Sequence, residues 1–389
     1  MTLEADWGSM RSFWPVRICF VCLVFGLFSC GPSNGDKYAS GNAAASNGAS
    51  LLPAEHVHSG NTQGTTYLIK YHGDNVMEQS KIDSVLELID IEFNLWRPES
   101  RINLINGYKG GSELLTFVDS SLLWSVLWSR SLDLYEASQG AFDPTVHPLV
   151  ELWGFGLSKK GEVSDEDVQR ILPAVGMTPD RIDLEEVELN RIYAETYVRK
   201  RNQSTSIDFN GIAQGLTVDL LADVLLAQGI QDFMVEVGGE VKCQGLRSDG
   251  QVWRIAIDRP VDQPDGFDER ELQSVVAVKN AAICTSGNYR KFYEEDGIRR
   301  SHTISPFTGY PVQHSLLSAT VHAMDAATAD ALATACMVWG PDEGKIFIES
   351  YRSENTPERI EALFIFATES GEMETWQTED WDEVLATGR

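Results

Sequence analysis

The chain has 389 residues, 43% of them hydrophobic, and a formal net charge of −27. It can bury one large core or two modest ones, and its negative field argues against nucleic acid or an anionic membrane surface as an electrostatic partner. A phosphate-bearing ligand would have to be received by a metal ion, by backbone N–H groups or by local cations.

The first thirty residues read as a targeting signal. Arg11 and Arg17 form a short basic region, and Ile18 to Phe28 is an apolar run ending in Leu27-Phe28-Ser29-Cys30-Gly31. The ending is similar to a bacterial lipobox, so residues 1–30 are expected to be a lipoprotein signal with Cys30 as the lipidated residue, and Met10 is an alternative start. The apolar run is too short to span a bilayer, whereas acyl chains on Cys30 would hold the protein at a membrane surface. Cys19 and Cys22 fall inside the signal. Cys243, Cys284 and Cys336 remain, widely spaced and odd in number, which is no disulfide framework. Residues 31–50 are Gly, Ser, Asn and Ala for the most part and read as a flexible tether.

The globular part is expected over 51–389. Thr65 to Tyr71 alternates as a strand does, and Ile82, Val85, Leu86 and Ile89 recur at helical spacing within Met77 to Phe93. A helix is predicted from Ser120 to Ser138 with Gly140 just past its end, and Ser164 to Asp167 is similar to a capping box opening another. Ile207 to Phe209 is predicted extended, Leu216 to Gln228 helical, and Phe233 to Val237 a strand ending in Gly238-Gly239. Trp253 to Asp258, Val275 to Cys284, Leu317 to Ala323 and Ala362 to Ala367 are further strand candidates. This succession indicates an α+β fold rather than a doubly wound parallel sheet.

Ser318 to Gly340 reads as a short strand, a turn at Met324-Asp325, and an Ala-rich helix stopped by Gly340. Asp330 and Thr334 stand four residues apart in that helix, so a carboxylate and a hydroxyl share one face. Two hard oxygen ligands suffice for Mg2+ when phosphate oxygens and water complete the octahedron. The alternative is a small-residue helix packed on a sheet, with Asp330 placed for the helix dipole.

Asn210-Gly211-Ile212-Ala213-Gln214-Gly215 joins an extended segment to a helix, where glycines let backbone approach a ligand and the helix N-terminus offers N–H donors. It is either a pyrophosphate cradle or simply a tight strand-to-helix turn. His302 lies in a loop dense with Pro and Gly, His302 to Pro311, and an imidazole titrates near neutrality, as a base for a hydroxyl must. A structural histidine fits the same pattern. Gly140 to Val146, Trp153-Gly154-Phe155-Gly156 and Trp96 supply aromatic surface that could sandwich a planar heterocycle or belong to the core.

Taken together these stretches resemble the FAD:protein FMN transferase family, the bacterial ApbE lipoproteins. The resemblance is carried in order by Gly64 to Tyr67, Trp96 to Ile102, Gly140 to Val146 with Trp153-Gly154, Asp208 to Gly215, Val237 to Gly239, Thr285 to Tyr289, His302 to Pro311 and Ala329 to Thr334. It implies an ApbE-like, T-fold related architecture of mixed sheets with packed helices and a ligand cleft between two lobes. It implies an enzyme that binds FAD as substrate with Mg2+, splits the pyrophosphate, releases AMP and attaches FMN to a Thr or Ser of an exported target protein. By position, Ala213, Asp330 and Thr334 would ligate the metal, and Trp96 would stack on the flavin. Gln63, Ala141, Phe142, Asp143, Asn210, Gly211, Leu216 and Ile304 would contact FAD, and His302 would activate the acceptor hydroxyl. The implied location is the cell envelope, on the periplasmic side. Three positions depart from the family's common residues: Ser305 stands where Asp is usual, Gln214 where Lys is, and Gln63 where Met is frequent. An Mg2+-dependent FAD pyrophosphatase and a non-catalytic flavin-binding lipoprotein are the competing expectations.

Overall fold

The computed structural model describes residues 54–111, 114–157, 161–190, 193–260, 271–288, 292–295 and 298–385. The expected signal, Cys30, the tether and Tyr289 lie outside them. In chain order the strands are β1 (Glu55–Thr62), β2 (Thr65–His72), β3 (Leu115–Asp119), β4 (Ile182–Asn190), β5 (Tyr193–Lys200), β6 (Phe233–Val237), β7 (Glu240–Gln244) and β8 (Trp253–Asp258). They continue with β9 (Leu272–Val278), β10 (Ala281–Gly287), β11 (Phe292–Glu295), β12 (Ile298–Ser301), β13 (Leu316–Ala323), β14 (Glu361–Ala367) and β15 (Met373–Gln377). The helices are α1 (Gln79–Phe93), α2 (Arg101–Gly107), α3 (Leu123–Ala137), α4 (His147–Leu152), α5 (Asp165–Ile171), α6 (Ala213–Ala227) and α7 (Ala326–Glu354).

The fold is α+β, organised on an eight-stranded antiparallel sheet of order β1-β2-β6-β7-β10-β13-β14-β15. Alternation along each strand divides its side chains between two cores. On one face Val241, Cys243, Ala281 and Ile283 meet the β8–β9 hairpin and the buried Trp381. On the other, α6 and α7 cover the sheet, with Lys242 of β7 reaching Asp219 of α6 at 2.6 Å. Helix α1 packs on α6 and buries Ile82, Val85, Leu86 and Ile89, the predicted stripe, while Phe93 at its end meets Trp124 and Phe209. The smaller sheet, β3-β5-β4, lies against α3, whose Leu123, Trp124, Leu127 and Leu134 are buried.

Several boundaries differ from expectation for identifiable reasons. Val275 to Cys284 is two strands, β9 and β10, because Asn280 takes a positive φ of 53° and turns the chain from the small hairpin into the large sheet. Ile207 to Phe209 joins no strand: the backbone of Ile207 pairs with the Asn106 side chain, and Asp208 N–H donates to the Pro144 carbonyl. Gly340 does end a helical run, at φ 81°, but Pro341 restarts it, so α7 is two segments joined at a kink. Helix α6 begins at Ala213 rather than Leu216, which places Gly215 inside its first turn. A Cβ on Gly215 would lie 2.3 Å from the Ala326 carbonyl oxygen, so the glycine serves close approach of α6 to α7.

Candidate active site

Small residues build the site. From Ala326 to Ala335 α7 is almost wholly Ala, Thr and Asp, and it sits directly on β10 and β13. Its N-terminus is held by Asp219, whose two carboxylate oxygens accept from the Ala326 and Ala327 amides at 3.0 Å each. Asp325 caps the same turn by accepting from Thr328 N–H, and Arg130 pairs with Asp325 at 2.8 Å. These contacts fix the rotation of α7 and hence the direction of Asp330 and Thr334.

Asp330 is 5% exposed, and one carboxylate oxygen accepts from the Gly215 amide at 3.1 Å. Burial pushes its carboxyl up to about 7, with the Gly215 hydrogen bond opposing the shift. One turn on, Thr334 Oγ1 lies 3.4 Å from Ser286 Oγ at the end of β10. The backbone of Gly211 closes the third side: a Cβ there would be 3.1 Å from Thr334 Oγ1 and 3.5 Å from the Phe142 ring. Asp330, Thr334, Gly211, Phe142 and the first turn of α6 are therefore neighbours, though they span residues 142–334. Among the described residues no group of three or more His, Cys, Asp or Glu forms a metal cluster. A lone buried carboxylate beside a hydroxyl, with a glycine leaving room, fits a hard cation that shares its coordination with ligand oxygens.

The Ala213 carbonyl, at the start of α6, accepts from Thr217 Oγ1 at 2.7 Å, and Thr217 Oγ1 accepts from Gln63 Nε2 at 2.7 Å. Gln63 belongs to the turn between β1 and β2, where Asn61 to Thr66 line a groove of about 430 Å³. Gln214 reaches over the turn after β6, since a Cβ on Gly238 would lie 2.5 Å from its Nε2.

The His302 loop stands on a separate base. Ser305 N–H donates to the Tyr310 carbonyl, Gly309 N–H to the Ser305 carbonyl, and Val312 N–H to Thr303, which closes a compact turn. Ile304 is buried with Leu149, Trp153, Val168 and Val175, and Trp153 Nε1 donates to the Gly309 carbonyl at 2.8 Å. Tyr310 in turn bonds to Asp165 at the start of α5. Trp153 is thus a buried post under this loop rather than a ring offered to a heterocycle. His302 itself is partly exposed. Its neighbour Thr303 donates to Asn288 at 2.9 Å, and Asn288 follows Ser286 by two residues, so the loop and the Thr334 side of the site share the end of β10.

The remaining predicted contacts are placed as follows. Trp96 is 58% exposed in the Asn94–Ser100 turn, its amide held by the Asn94 side chain. Ala141, Leu216 and Ile304 are buried, leaving main chain as what they could offer a ligand. The Asp143 carboxylate accepts from both Thr145 N–H and Thr145 Oγ1, and burial raises it to about 6. Asn210 is exposed and tied to Asp208, whose burial raises its own carboxyl while the nearby His147 charge opposes this. Sequence reading missed Thr217 and the bond from Gly215 to Asp330. The four-residue step from Ala213 to Thr217 in a helix was the available signal for the first.

The sequence profile of the ApbE family matches residues 63–364. The FAD:protein FMN transferase of Vibrio cholerae serotype O1 is 36% identical over 327 residues, covering 82% of this chain and 90% of that one. The protein of the same name from Haemophilus influenzae is 32% identical over 295 residues, 73% of this chain and 81% of the other. Among solved structures, the flavin transferase ApbE from Vibrio cholerae superposes with a TM-score of 0.71 at 31% identity, covering 86% of this chain and 100% of its own. The apo flavinyl transferase ApbE of Pseudomonas stutzeri gives 0.71 at 29% identity, covering 87% and 99%. A profile match across most of the described fold and relatives above 30% identity over most of their own length lead to one conclusion: this chain belongs to the ApbE family.

Proposed function

We propose that the chain is an Mg2+-dependent FAD:protein FMN transferase, anchored through Cys30 to a membrane of the bacterial cell envelope and acting on exported proteins. The observation that carries the reading is the convergence of Asp330, Thr334 and Gly211 beside the first turn of α6, in a member of this family. Asp330, Thr334 and the Ala213 carbonyl would hold Mg2+, which when bound would neutralise charge on the pyrophosphate oxygens. The buried carboxylate is suited to this. Its ionised form is costly without a cation and favoured with one.

The chain's own groups account for the rest. Gly211 admits the ligand's phosphates close to backbone, and the start of α6 presents N–H groups to them. The exposed Trp96 ring is available to stack on the flavin. His302 takes the proton of the acceptor Thr or Ser hydroxyl as its oxygen bonds to the FMN phosphorus. The bond from that phosphorus to the bridging oxygen breaks, and AMP leaves with the electron pair. The turn from Ser305 to Tyr310 and the Trp153 post keep the imidazole-bearing loop in place.

The test is intact-mass spectrometry of a candidate acceptor domain incubated with the protein, FAD and Mg2+, with AMP followed alongside. An acceptor heavier by one FMN moiety on a Thr or Ser is the expected result. AMP formed at an undiminished rate with no adduct would replace the transferase by a pyrophosphatase.

A further inference from the structure

Gln63 and Thr217 are 154 residues apart in sequence and joined by a 2.7 Å hydrogen bond. Gln63 holds a positive φ of 49°, as the first position of the two-residue turn between Thr62 and Thr65 requires, and this fixes where its side chain starts. Thr217 is fully buried. A carbonyl can only accept, so the Thr217 hydroxyl donates to Ala213 and the Gln63 atom facing it is the amide nitrogen. The chain of donors therefore runs one way, from the groove at the β1–β2 turn to the carbonyl at the start of α6. A buried helical Thr often bonds back to the carbonyl four residues earlier. What sets this one apart is the second donor, brought from a tight turn on another element.

We propose that Gln63 and Thr217 are a positioning pair that couples the nucleotide side of the site to its metal side. This rests on the reading above, in which the Gln63 turn meets FAD and the Ala213 carbonyl meets the divalent cation. The hydroxyl fixes the direction of the Ala213 oxygen, as partners of metal ligands generally do. Gln63 fixes the hydroxyl, and a nucleotide that settles the turn settles the carbonyl. Coupling of this kind is reciprocal: FAD tightens the cation as much as the cation tightens FAD.

The experiment is Mn2+ binding to the full chain, read from the electron paramagnetic resonance signal of free Mn2+, with and without FAD. Wild type, Thr217→Val, Thr217→Ser, Gln63→Met and the Val/Met double variant are compared. Thr217→Val keeps the side-chain shape and is expected to weaken Mn2+ about tenfold without FAD and to abolish the tightening that FAD brings. Thr217→Ser restores both. Gln63→Met, on the surface turn, loses the tightening, and the double variant loses no more than Thr217→Val alone. Wild-type Mn2+ affinity and wild-type tightening in Thr217→Val overturn the pairing while leaving the transferase reading intact, and failure of Thr217→Ser to rescue reduces Thr217 to packing. A wild-type chain that binds neither Mn2+ nor FAD removes the functional reading itself.

Discussion

Asp330 on α7 accepts a hydrogen bond at 3.1 Å from the amide of Gly215 on α6, so the carboxylate of one helix caps the first turn of another. The capping uses one oxygen and leaves the other for the proposed cation. In the metal-free protein the carboxyl is held near 7, above its ordinary 3.8, because burial penalises its charge. Between those values the folded chain binds more protons here than the unfolded chain, so this group's contribution to stability falls as pH rises from 3.8 and stays low above 7. Metal-free Asp330→Asn, which keeps an acceptor for Gly215, should therefore melt at a higher temperature than wild type at pH 8, with the advantage vanishing toward pH 4. Mg2+ should raise the Tm of wild type and leave the variant unmoved. Calorimetry at two pH values with and without Mg2+ checks both, and a variant less stable than wild type at pH 8 would contradict the electrostatic account.

The two glycines of the α6 approach should separate stability from function. A Cβ at position 215 meets backbone at 2.3 Å, which no rotamer change relieves, so Gly215→Ala should cost about 1–3 kcal/mol of stability. At position 211 the obstacle is the Thr334 hydroxyl at 3.1 Å, a side-chain atom at the proposed metal site. Gly211→Ala should leave urea unfolding close to wild type and weaken Mg2+-dependent FAD binding instead. Equal destabilisation of both variants would show that the space beside Thr334 is structural.

Ser305 stands where the family usually has Asp, and its hydroxyl accepts from the Thr308 amide at 3.4 Å inside its own turn. A carboxylate could make the same bond, so the position serves the shape of the His302 loop. Ser305→Asp should retain transfer activity, whereas Ser305→Val should lower kcat with little change in FAD affinity. Trp153→Phe, which removes the donor to Gly309, should behave like Ser305→Val. Steady-state kinetics set beside FAD titration distinguish these outcomes; a variant losing FAD affinity and kcat together would place the loop in nucleotide binding.

Much of this was legible in residue order. The amphipathic stripe of α1, the capping box at Ser164 and the four-residue step from Asp330 to Thr334 each follow from local periodicity, and each is present. What local pattern could not supply was the partner. Gly215 read as part of a turn because nothing in its own neighbourhood shows that Ala326 passes within reach, and Trp153 read as a candidate stacking ring because its bond to Gly309 crosses 156 residues. Asp143 carries the same lesson. Its carboxylate is occupied by Thr145, which also accepts from the Gly176 amide, a contact across 31 residues that composition does not reveal. Residues whose role is set by their own helix were readable; those set by a second element were not.

Away from the site, His322 on β13 is buried, and burial together with the charge of Arg359 lowers its imidazole from 6.5 to about 4. Among the described residues its Nδ1 has no hydrogen-bond partner, in keeping with a neutral ring in the sheet. The unfolded chain takes up a proton at this residue below 6.5 while the folded chain resists until about 4. The unfolded state thus binds more protons in that window, and stability falls as pH drops through it. The full loss by pH 4 amounts to about 3 kcal/mol for this group. His322→Gln removes the titration. Wild type should therefore lose about 3 kcal/mol more than the variant between pH 7 and pH 4 in urea unfolding, whatever the other groups contribute, since they are common to both. Parallel pH profiles for the two proteins would mean that the ring titrates in the fold as it does in the unfolded chain, which would overturn the burial account.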